Sequence, residues 1–366
     1  MGGEIRDAFL RLVRLGIGNG DVGLDSDVFG SVDWDALKAL AERQGLSAIV
    51  ADGIECLPME SRPPKTLMLQ LIGEVLQDYE YRHKLYLRAI AELAGFYNSH
   101  GIRMMVLKGY ACSLNWPKPE HRHVGDIDIW QFGDYKKADA MLAKEKGIEI
   151  DNSHHHHTVF YRRDFMVENH YDFINIHHHR SNAEYERILK KLGEDDSYSV
   201  DLYGERVYLP SPDLHALFLL KHMMLHFASG EFSLRQVLDW GFFVEKHGDA
   251  VDWSYVTGVL EKFGMMELFW IFNAICAENL GFRRCGLKAY GLPSTSVDSE
   301  LKERVLNEIL SPEFTGETPS TLIPRIAFKY RRWRANEWKH RLCYKESMWS
   351  AFWSGVWNHL LKPSSI

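Results

Sequence analysis

The alternation of aspartate and isoleucine at residues 126–129 is the feature that most constrains how this chain folds. Side chains two apart on a β-strand point to the same face of a sheet, and those between them point to the other face. We therefore expect Ile127 and Ile129 to enter an apolar core, while Asp126 and Asp128 project together. Two neighbouring carboxylates repel each other unless a cation lies between them. The pattern thus predicts a cation site on this strand.

A short apolar run precedes that strand and ends at a lysine and a glycine. Residues 102–107 (IRMMVL) are typical of a β-strand, and Lys108-Gly109 follows as a turn. We expect this turn to face the aspartate pair. Such an arrangement suits a metal-bound nucleoside triphosphate, since a lysine can serve as a point charge for phosphate.

Hydrophobic periodicity divides the chain into three regions. Residues 1–100 show helical spacing, residues 101–210 alternate short strands with helices, and residues 211–366 are mostly helical. The last region begins at Ser211-Pro212, which is a good helix start. We predict an α+β protein, in which a small mixed β-sheet core is flanked by N-terminal and C-terminal helical regions.

The longest helical pattern runs from about Leu67 to His100. Its mostly apolar side chains recur every three or four residues, which predicts a continuous face packed against neighbouring helices. This stripe comprises Leu69, Ile72, Leu76, Tyr79, His83, Tyr86, Ile90, Leu93 and Tyr97.

Composition and charge argue against several classes of protein. A net charge of −7 does not suit a chain that binds duplex nucleic acid through its overall field. No run of about eighteen apolar residues is present, so we expect no membrane span. The N-terminus carries acidic residues and no small-residue cleavage site, unlike a secretory signal. The five cysteines lack CxxC spacing and are typical of free thiols, so we expect a cytoplasmic protein.

A third carboxylate would complete a two-metal site beside the aspartate pair. Mg²⁺ prefers hard oxygen ligands and is commonly held by one or two carboxylates together with substrate phosphates. Glu168, in the segment FMVENHYDF, is the best candidate, because its strand could lie beside the strand of Asp126 and Asp128.

Taken together, these motifs resemble a known family. The uncharacterised bacterial nucleotidyltransferases, within the DNA polymerase β-like superfamily, share the pattern Leu-Lys-Gly, a variable loop, then Arg-x-x-Gly-Asp-x-Asp. The matching residues here are Leu107, Lys108, Gly109, Arg122, Gly125, Asp126 and Asp128. Residues 34–46 (WDALKALAERQGL) and the later helices are also similar, so the resemblance covers most of the chain.

The family's later strand commonly reads Val-Glu-x-His, which Val167, Glu168 and His170 match. A second register, residues 174–177 (INIH), is also similar but puts Asn175 where the carboxylate belongs. We prefer the first register because it keeps a charged metal ligand.

The resemblance implies transfer of a nucleotidyl group from a nucleoside triphosphate to an acceptor hydroxyl, with two Mg²⁺ ions and release of pyrophosphate. Asp126 and Asp128 would hold both ions, and Glu168 would bind the catalytic ion and help the acceptor hydroxyl lose its proton. The residues that would position the nucleotide are Lys108, Gly109, Arg122 and Gly125.

The turn departs from the pattern of the broader superfamily, which places Gly-Ser or Gly-Gly there. Tyr110 follows Gly109 in this chain, and a tyrosine does not let the backbone approach phosphate as a glycine does. The usual contact from a serine hydroxyl to phosphate therefore does not carry over to this turn. We expect Lys108 to supply positive charge instead.

Eight of the eighteen histidines lie close together in the sequence, at residues 154–157, 170 and 177–179. Consecutive residues on a strand point oppositely, which argues against a zinc site in either run of consecutive histidines. His170 follows Glu168 on the same face and is a candidate beside the metal or a substrate hydroxyl. The resemblance also makes cleft candidates of three residues on later helices, His222, Arg235 and Asp239.

The C-terminal segment interleaves basic residues with tryptophans. Trp349, Trp353 and Trp357 recur at helical spacing, which indicates a buried face formed by core packing or by a homodimer contact.

Only the net charge of the chain bears on the chemical class of the acceptor. The acidic net charge favours a small molecule or a protein over RNA. The alternative function is a catalytically inactive nucleotide-binding or protein-interaction module with the same fold.

Overall fold

The structure, a computed structural model, describes residues 2–20, 29–177, 179–292, 297–312 and 319–349. The chain divides into two compact units. The helical unit consists of Met1–Gln77, Leu220–Asp249 and Trp253–Lys345. The sheet unit consists of Asp78–Leu219, Ala250–Asp252 and Glu346–Ile366. The division into three regions, with boundaries at residues 100 and 210, stays a prediction.

Among the described residues, one mixed β-sheet is formed by the middle of the chain, and helical regions precede and follow it. This arrangement confirms the α+β class. The α-helices are α1 Gly3–Gly16, α2 Trp34–Gln44, α3 Ser47–Glu55, α4 Lys65–Glu74, α5 Arg82–Ser99, α6 Tyr110–Ser113, α7 Tyr135–Lys146, α8 Asn182–Leu192, α9 Pro212–Ser229, α10 Leu234–His247, α11 Trp253–Phe263, α12 Met266–Ala274, α13 Ser299–Leu310, α14 Leu322–Ala335 and α15 Glu337–Cys343.

Two glycines set the packing of α1 on α3 in the helical unit. A Cβ atom at Gly16 would lie 2.0 Å from the carbonyl oxygen of Ile49, and one at Gly53 would lie 2.1 Å from that of Leu12. The two backbones therefore approach more closely than any side chain allows.

The long predicted helix is present as α4 and α5, but a π-helical segment, Val75–Tyr81, joins them. Leu69, Ile72 and Leu76 are 60%, 44% and 54% exposed, so the stripe predicted through them is wrong at this end. The buried residues of this end are Leu67, Leu71 and Val75. A π-helix takes more residues per turn than an α-helix, so a regular stripe extrapolated back from α5 falls on the wrong face.

The sheet has six strands in the order β3-β4-β2-β1-β6-β5. The pairs β2–β4 and β1–β6 are parallel, and the other pairs are antiparallel. The strands are β1 Met105–Val106, β2 Ile127–Trp130, β3 His157–Arg162, β4 Phe165–His170, β5 Ser199–Leu202 and β6 Glu205–Tyr208. Ile127 and Ile129 enter the apolar core, as their alternation with the aspartates predicts.

A buried polar network links α7 to β3, to β4 and to the residue that follows β2. Asp139 accepts hydrogen bonds from Thr158 at 2.8 Å and from Asn169 at 2.7 Å. Asn169 also donates to Gln131 at 3.0 Å, directly after β2. Asn169 alternates with Glu168 and His170 along β4, so this network lies on the opposite face of the strand from them.

Two expectations about the whole chain can be compared with the described residues. All five cysteines are free, as their spacing predicts. In the part of the chain that is described, no helix combines the length and apolarity that a bilayer crossing requires.

The buried face predicted through the C-terminal tryptophans falls mostly on residues that are not described. Trp349 is 56% exposed, and Trp353 and Trp357 lie outside the described residues.

Replacement of Asp139 should destabilise the sheet unit. Asp139→Ala removes the acceptor of Thr158 and one of the two acceptors of Asn169, and we expect the free energy of unfolding to fall by about 1–3 kcal/mol. Lys137→Ala, on the exposed side of the same helix, should stay within about 0.5 kcal/mol of the wild type. Urea unfolding followed by circular dichroism measures both, and equal effects would contradict the network's role.

Acid should weaken the fold through His83 on α5. Burial lowers the pKa of His83 to about 4. The folded state therefore favours the neutral imidazole, whereas the unfolded chain binds a proton below its pKa near 6.5. The free energy of unfolding consequently falls as the pH drops from about 6.5 towards 4. Between pH 7.5 and 5, the wild type should lose about 2 kcal/mol more unfolding free energy than His83→Gln. Urea unfolding at both pH values tests this, and parallel losses in the two proteins would refute it.

Candidate active site

The predicted turn and the aspartate strand meet through one ammonium group. The Nζ of Lys108 lies 3.0 Å from Oδ1 of Asp128 and 3.6 Å from Oδ2 of Asp126. Asp128 is fully buried, whereas Asp126 is partly exposed. The cation expected between the two carboxylates is therefore supplied, within this chain, by a lysine.

Glu168 lies directly beside Asp128. The two residues are register partners on the neighbouring parallel strands β2 and β4. Asn175, the residue of the second register, lies outside every strand of the described chain. Parallel pairing at matched register places the two carboxylates on the same face of the sheet.

His170 connects these two carboxylates. Its Nε2 lies 3.1 Å from Oδ1 of Asp128 and 3.5 Å from Oε2 of Glu168. Burial lowers the pKa of His170, but the two carboxylates outweigh this and raise it to about 9. The imidazole is therefore protonated at neutral pH.

The charges at this centre stabilise one another. Burial alone would raise the pKa of Glu168, but hydrogen bonding to His170 and the charge of Lys108 bring it down to about 2. Burial likewise opposes the charge of Lys108, yet the carboxylates of Asp128, Asp126 and Glu168 raise its pKa. Each ionised group thus depends on oppositely charged neighbours.

One oxygen of this centre suits a cation. Lys108 and His170 both contact Oδ1 of Asp128, while Oδ2 is buried and has no hydrogen-bond partner among the described residues. One ligand atom each from Asp128, Glu168 and His170 lies within 4.8 Å of the others. Asp126 is not in this group and joins the site through Lys108. A buried carboxylate oxygen without a partner fits a bound divalent ion.

Tyr86 on α5 supports the turn, a role that its place in the apolar stripe does not reveal. Its hydroxyl donates to the carbonyl oxygen of Asp126 at 3.0 Å. Gly109 has φ 55°, and a Cβ atom there would lie 2.3 Å from that hydroxyl. Only glycine therefore fits between Tyr86 and the strand.

His156 and His157 also reach the site, contrary to the alternation argument. The strand begins only at His157, and the carbonyl oxygen of His156 accepts from the backbone N–H groups of Tyr171 and Asp172 at 3.0 and 3.1 Å. This bend brings one nitrogen of each histidine within 4.8 Å of one in His170. Burial lowers the pKa of His156 to about 2 and that of His157 to about 4.

The remaining residues of the predicted nucleotide site lie around the turn. Arg122 is buried, and its Nη1 donates to the carbonyl oxygen of His123 at 3.2 Å. A Cβ atom at Gly125 would meet nothing within 4 Å, so packing does not require glycine there. The ring of Tyr110 packs in the apolar core, and so it fills core space next to the turn.

The three helical candidates belong to the other unit. His222 lies on α9 and packs its ring against His226, with centroids 4.2 Å apart. Arg235 and Asp239 lie on α10, and Asp239 is buried. All three belong to the helical unit, so their part in the site stays a prediction.

Comparison with known proteins identifies the family. The family model described as "Uncharacterised nucleotidyltransferase" matches residues 30–281, well over half of the 366 residues. The chain belongs to this family. The matched range contains the turn, both aspartates, Glu168 and the histidines of the site. Neither the curated proteins nor the solved structures contain a match.

Family membership confirms the resemblance drawn from the sequence. It indicates, at a coarse level, that the chain is a nucleotidyltransferase, and hence a transferase. Nucleotidyltransferases generally use divalent metals, and the group of Asp128, Glu168 and His170 agrees with that.

A double-mutant cycle tests the contact between the turn and Tyr86. Tyr86→Phe should lower the free energy of unfolding by about 1 kcal/mol through loss of its hydrogen bond. Gly109→Ala should lower the free energy of unfolding more in the wild type than in the Tyr86→Phe variant, because that variant lacks the hydroxyl with which the new Cβ would clash. We expect a coupling energy of about 1–3 kcal/mol from urea unfolding. Additive effects would show that the hydroxyl does not limit the turn.

Proposed function

We propose that the chain is a Mg²⁺-dependent enzyme that transfers a nucleotidyl group from a nucleoside triphosphate to an acceptor hydroxyl. The acceptor oxygen forms a bond to the α-phosphorus, and the bond from that phosphorus to the departing pyrophosphate breaks. The hydroxyl proton passes to solvent with the help of Glu168. The observation that carries this proposal is the register pairing of Asp128 with Glu168, with a buried, unpartnered oxygen on Asp128.

Three carboxylates would hold two Mg²⁺ ions. Asp126 and Asp128 would bind both ions, and Glu168 would bind the one nearest the acceptor hydroxyl. When bound, Mg²⁺ would neutralise charge on the triphosphate and favour the ionised acceptor oxygen. His170 would orient Asp128 and Glu168 through its contacts at 3.1 and 3.5 Å.

The residues of the turn would position the triphosphate. Lys108 carries a point charge on a long unbranched side chain, so it could exchange its carboxylate contacts for phosphate oxygens. The open space at Gly125 lets a ligand approach the backbone there. Gly109 and Arg122 are the other candidates for this role. Such chemistry depends mainly on placement and charge stabilisation.

For the acceptor we propose only a chemical class. The net charge of −7 favours a small molecule or a protein over RNA. His222, Arg235 and Asp239 stay candidates for contacts to the nucleotide or acceptor. A cytoplasmic location and a homodimer remain part of the proposal.

One observation favours the alternative, a catalytically inactive module. Lys108 already neutralises the aspartate pair, at 3.0 Å from Asp128 and 3.6 Å from Asp126. A site that keeps this ion pair would bind a nucleotide without Mg²⁺ or would bind none.

Calorimetry with Mg²⁺-nucleotides separates the two functions. We expect the wild type to bind at least one of the four common nucleoside triphosphates with Mg²⁺. Asp126→Asn should weaken this binding by about tenfold or more, because a metal ligand is lost. Asp134→Asn, an exposed aspartate just before α7, should bind like the wild type.

Release of pyrophosphate in the presence of hydroxyl acceptors then tests catalysis. No nucleotide binding by the wild type, or equal binding by Asp126→Asn, would overturn the proposed enzyme. Binding without pyrophosphate release from any acceptor would favour the inactive module.

A further inference from the structure

Three histidine rings converge beside the carboxylates of the candidate active site. The ring centroids lie 4.3 Å apart for His156 and His157, 5.5 Å for His156 and His170, and 5.3 Å for His157 and His170. One nitrogen from each ring lies within 4.8 Å of the others. All three residues belong to the sheet unit.

This cluster has unused ligand atoms. The Nδ1 atoms of His156 and His157 are buried and have no hydrogen-bond partner among the described residues. A buried polar nitrogen without a partner is costly, so such atoms call for an explanation. His157 and His170 are both buried, and His156 is half-buried, so His156 is the most exposed member of the cluster.

The backbone holds this arrangement in place. The two hydrogen bonds from the N–H groups of Tyr171 and Asp172 fix the carbonyl of His156 against the end of β4, which carries His170. His157 is the register partner of His170 on the adjacent strand. The three imidazoles are therefore presented by two paired strands and a fixed bend rather than by a loose surface loop.

We propose that His156, His157 and His170 form a binding site for a borderline transition-metal ion, of which Zn²⁺ is the natural choice. Imidazole nitrogens suit Zn²⁺, and three protein ligands leave a fourth position for water or a substrate group. This site is distinct in chemistry from the oxygen-rich Mg²⁺ site proposed above and does not depend on it. His170 would bind Zn²⁺ directly, whereas it joins the Mg²⁺ site only through its contacts with Asp128 and Glu168, so uptake of Zn²⁺ must displace a proton from this imidazole.

Co²⁺ titration of the untagged, full-length protein without nucleotide tests the site. Tetrahedral Co²⁺ absorbs visible light far more strongly than octahedral Co²⁺, so the spectrum reports coordination geometry. We expect one equivalent of Co²⁺ to give the strong tetrahedral bands, one equivalent of Zn²⁺ to abolish them, and an excess of Mg²⁺ to leave them unchanged.

Variants locate the ligands. His156→Gln should weaken Co²⁺ binding at least about tenfold and abolish the strong bands. His154→Ala, which removes an exposed histidine of the same run, should keep them. Asp126→Asn should also keep them, which separates this site from the proposed nucleotide site. Far-UV circular dichroism verifies folding, and His157→Gln provides a second test if His156→Gln does not fold.

Two results would overturn the proposal. The first is no Co²⁺ or Zn²⁺ uptake by the folded wild type at micromolar concentrations. The second is a weak, octahedral spectrum that persists in His156→Gln and disappears in Glu168→Gln, which would assign the ion to the carboxylates.

Discussion

The ion pair between Lys108 and Asp128 is the interaction on which the candidate site depends. A buried carboxylate is tolerated only when it is paired and hydrogen-bonded, since desolvation costs several kcal/mol per ion. Asp128 receives Lys108 at 3.0 Å and His170 at 3.1 Å on the same oxygen. Both partners come from other segments of the chain, the turn after β1 and the end of β4. The buried charge of Asp128 is therefore stabilised only when the turn at Lys108 and the strands β2 and β4 are assembled around it.

The two faces of β4 perform different tasks. Glu168 and His170 carry charge towards the turn, while Asn169, between them, joins Asp139 and Gln131 in a buried network on the other face. Strand alternation makes this division possible, because a shift of one residue would exchange the two sets. The polar network thus stabilises the one register in which Glu168 lies beside Asp128.

Local patterns predict much of this arrangement, and nonlocal contacts account for the rest. Alternation in β2 is enough to place Ile127 and Ile129 in the core, and motif spacing is enough to select Glu168. By contrast, the π-helical segment at Val75–Tyr81 has no periodic signature, and it moves the buried stripe from Leu69 to Leu67 and Leu71. The approach of His156 to His170 depends on where β3 begins and on hydrogen bonds from residues after β4. The contact of Tyr86 with the turn needs three segments to meet, which no sequence window contains.

The position of Lys108 also couples the two ligands of the proposed function. A cation bound by Asp126 and Asp128 must compete with an ammonium group that already contacts both carboxylates. In the proposed function, phosphate oxygens would give that ammonium another partner, and its departure would leave the carboxylates free for the metal. Each ligand then removes the electrostatic obstacle to the other, so metal and triphosphate should bind with positive cooperativity. The same lysine keeps the carboxylates paired in the absence of both, which lets the fold hold a buried acidic site before any ligand arrives.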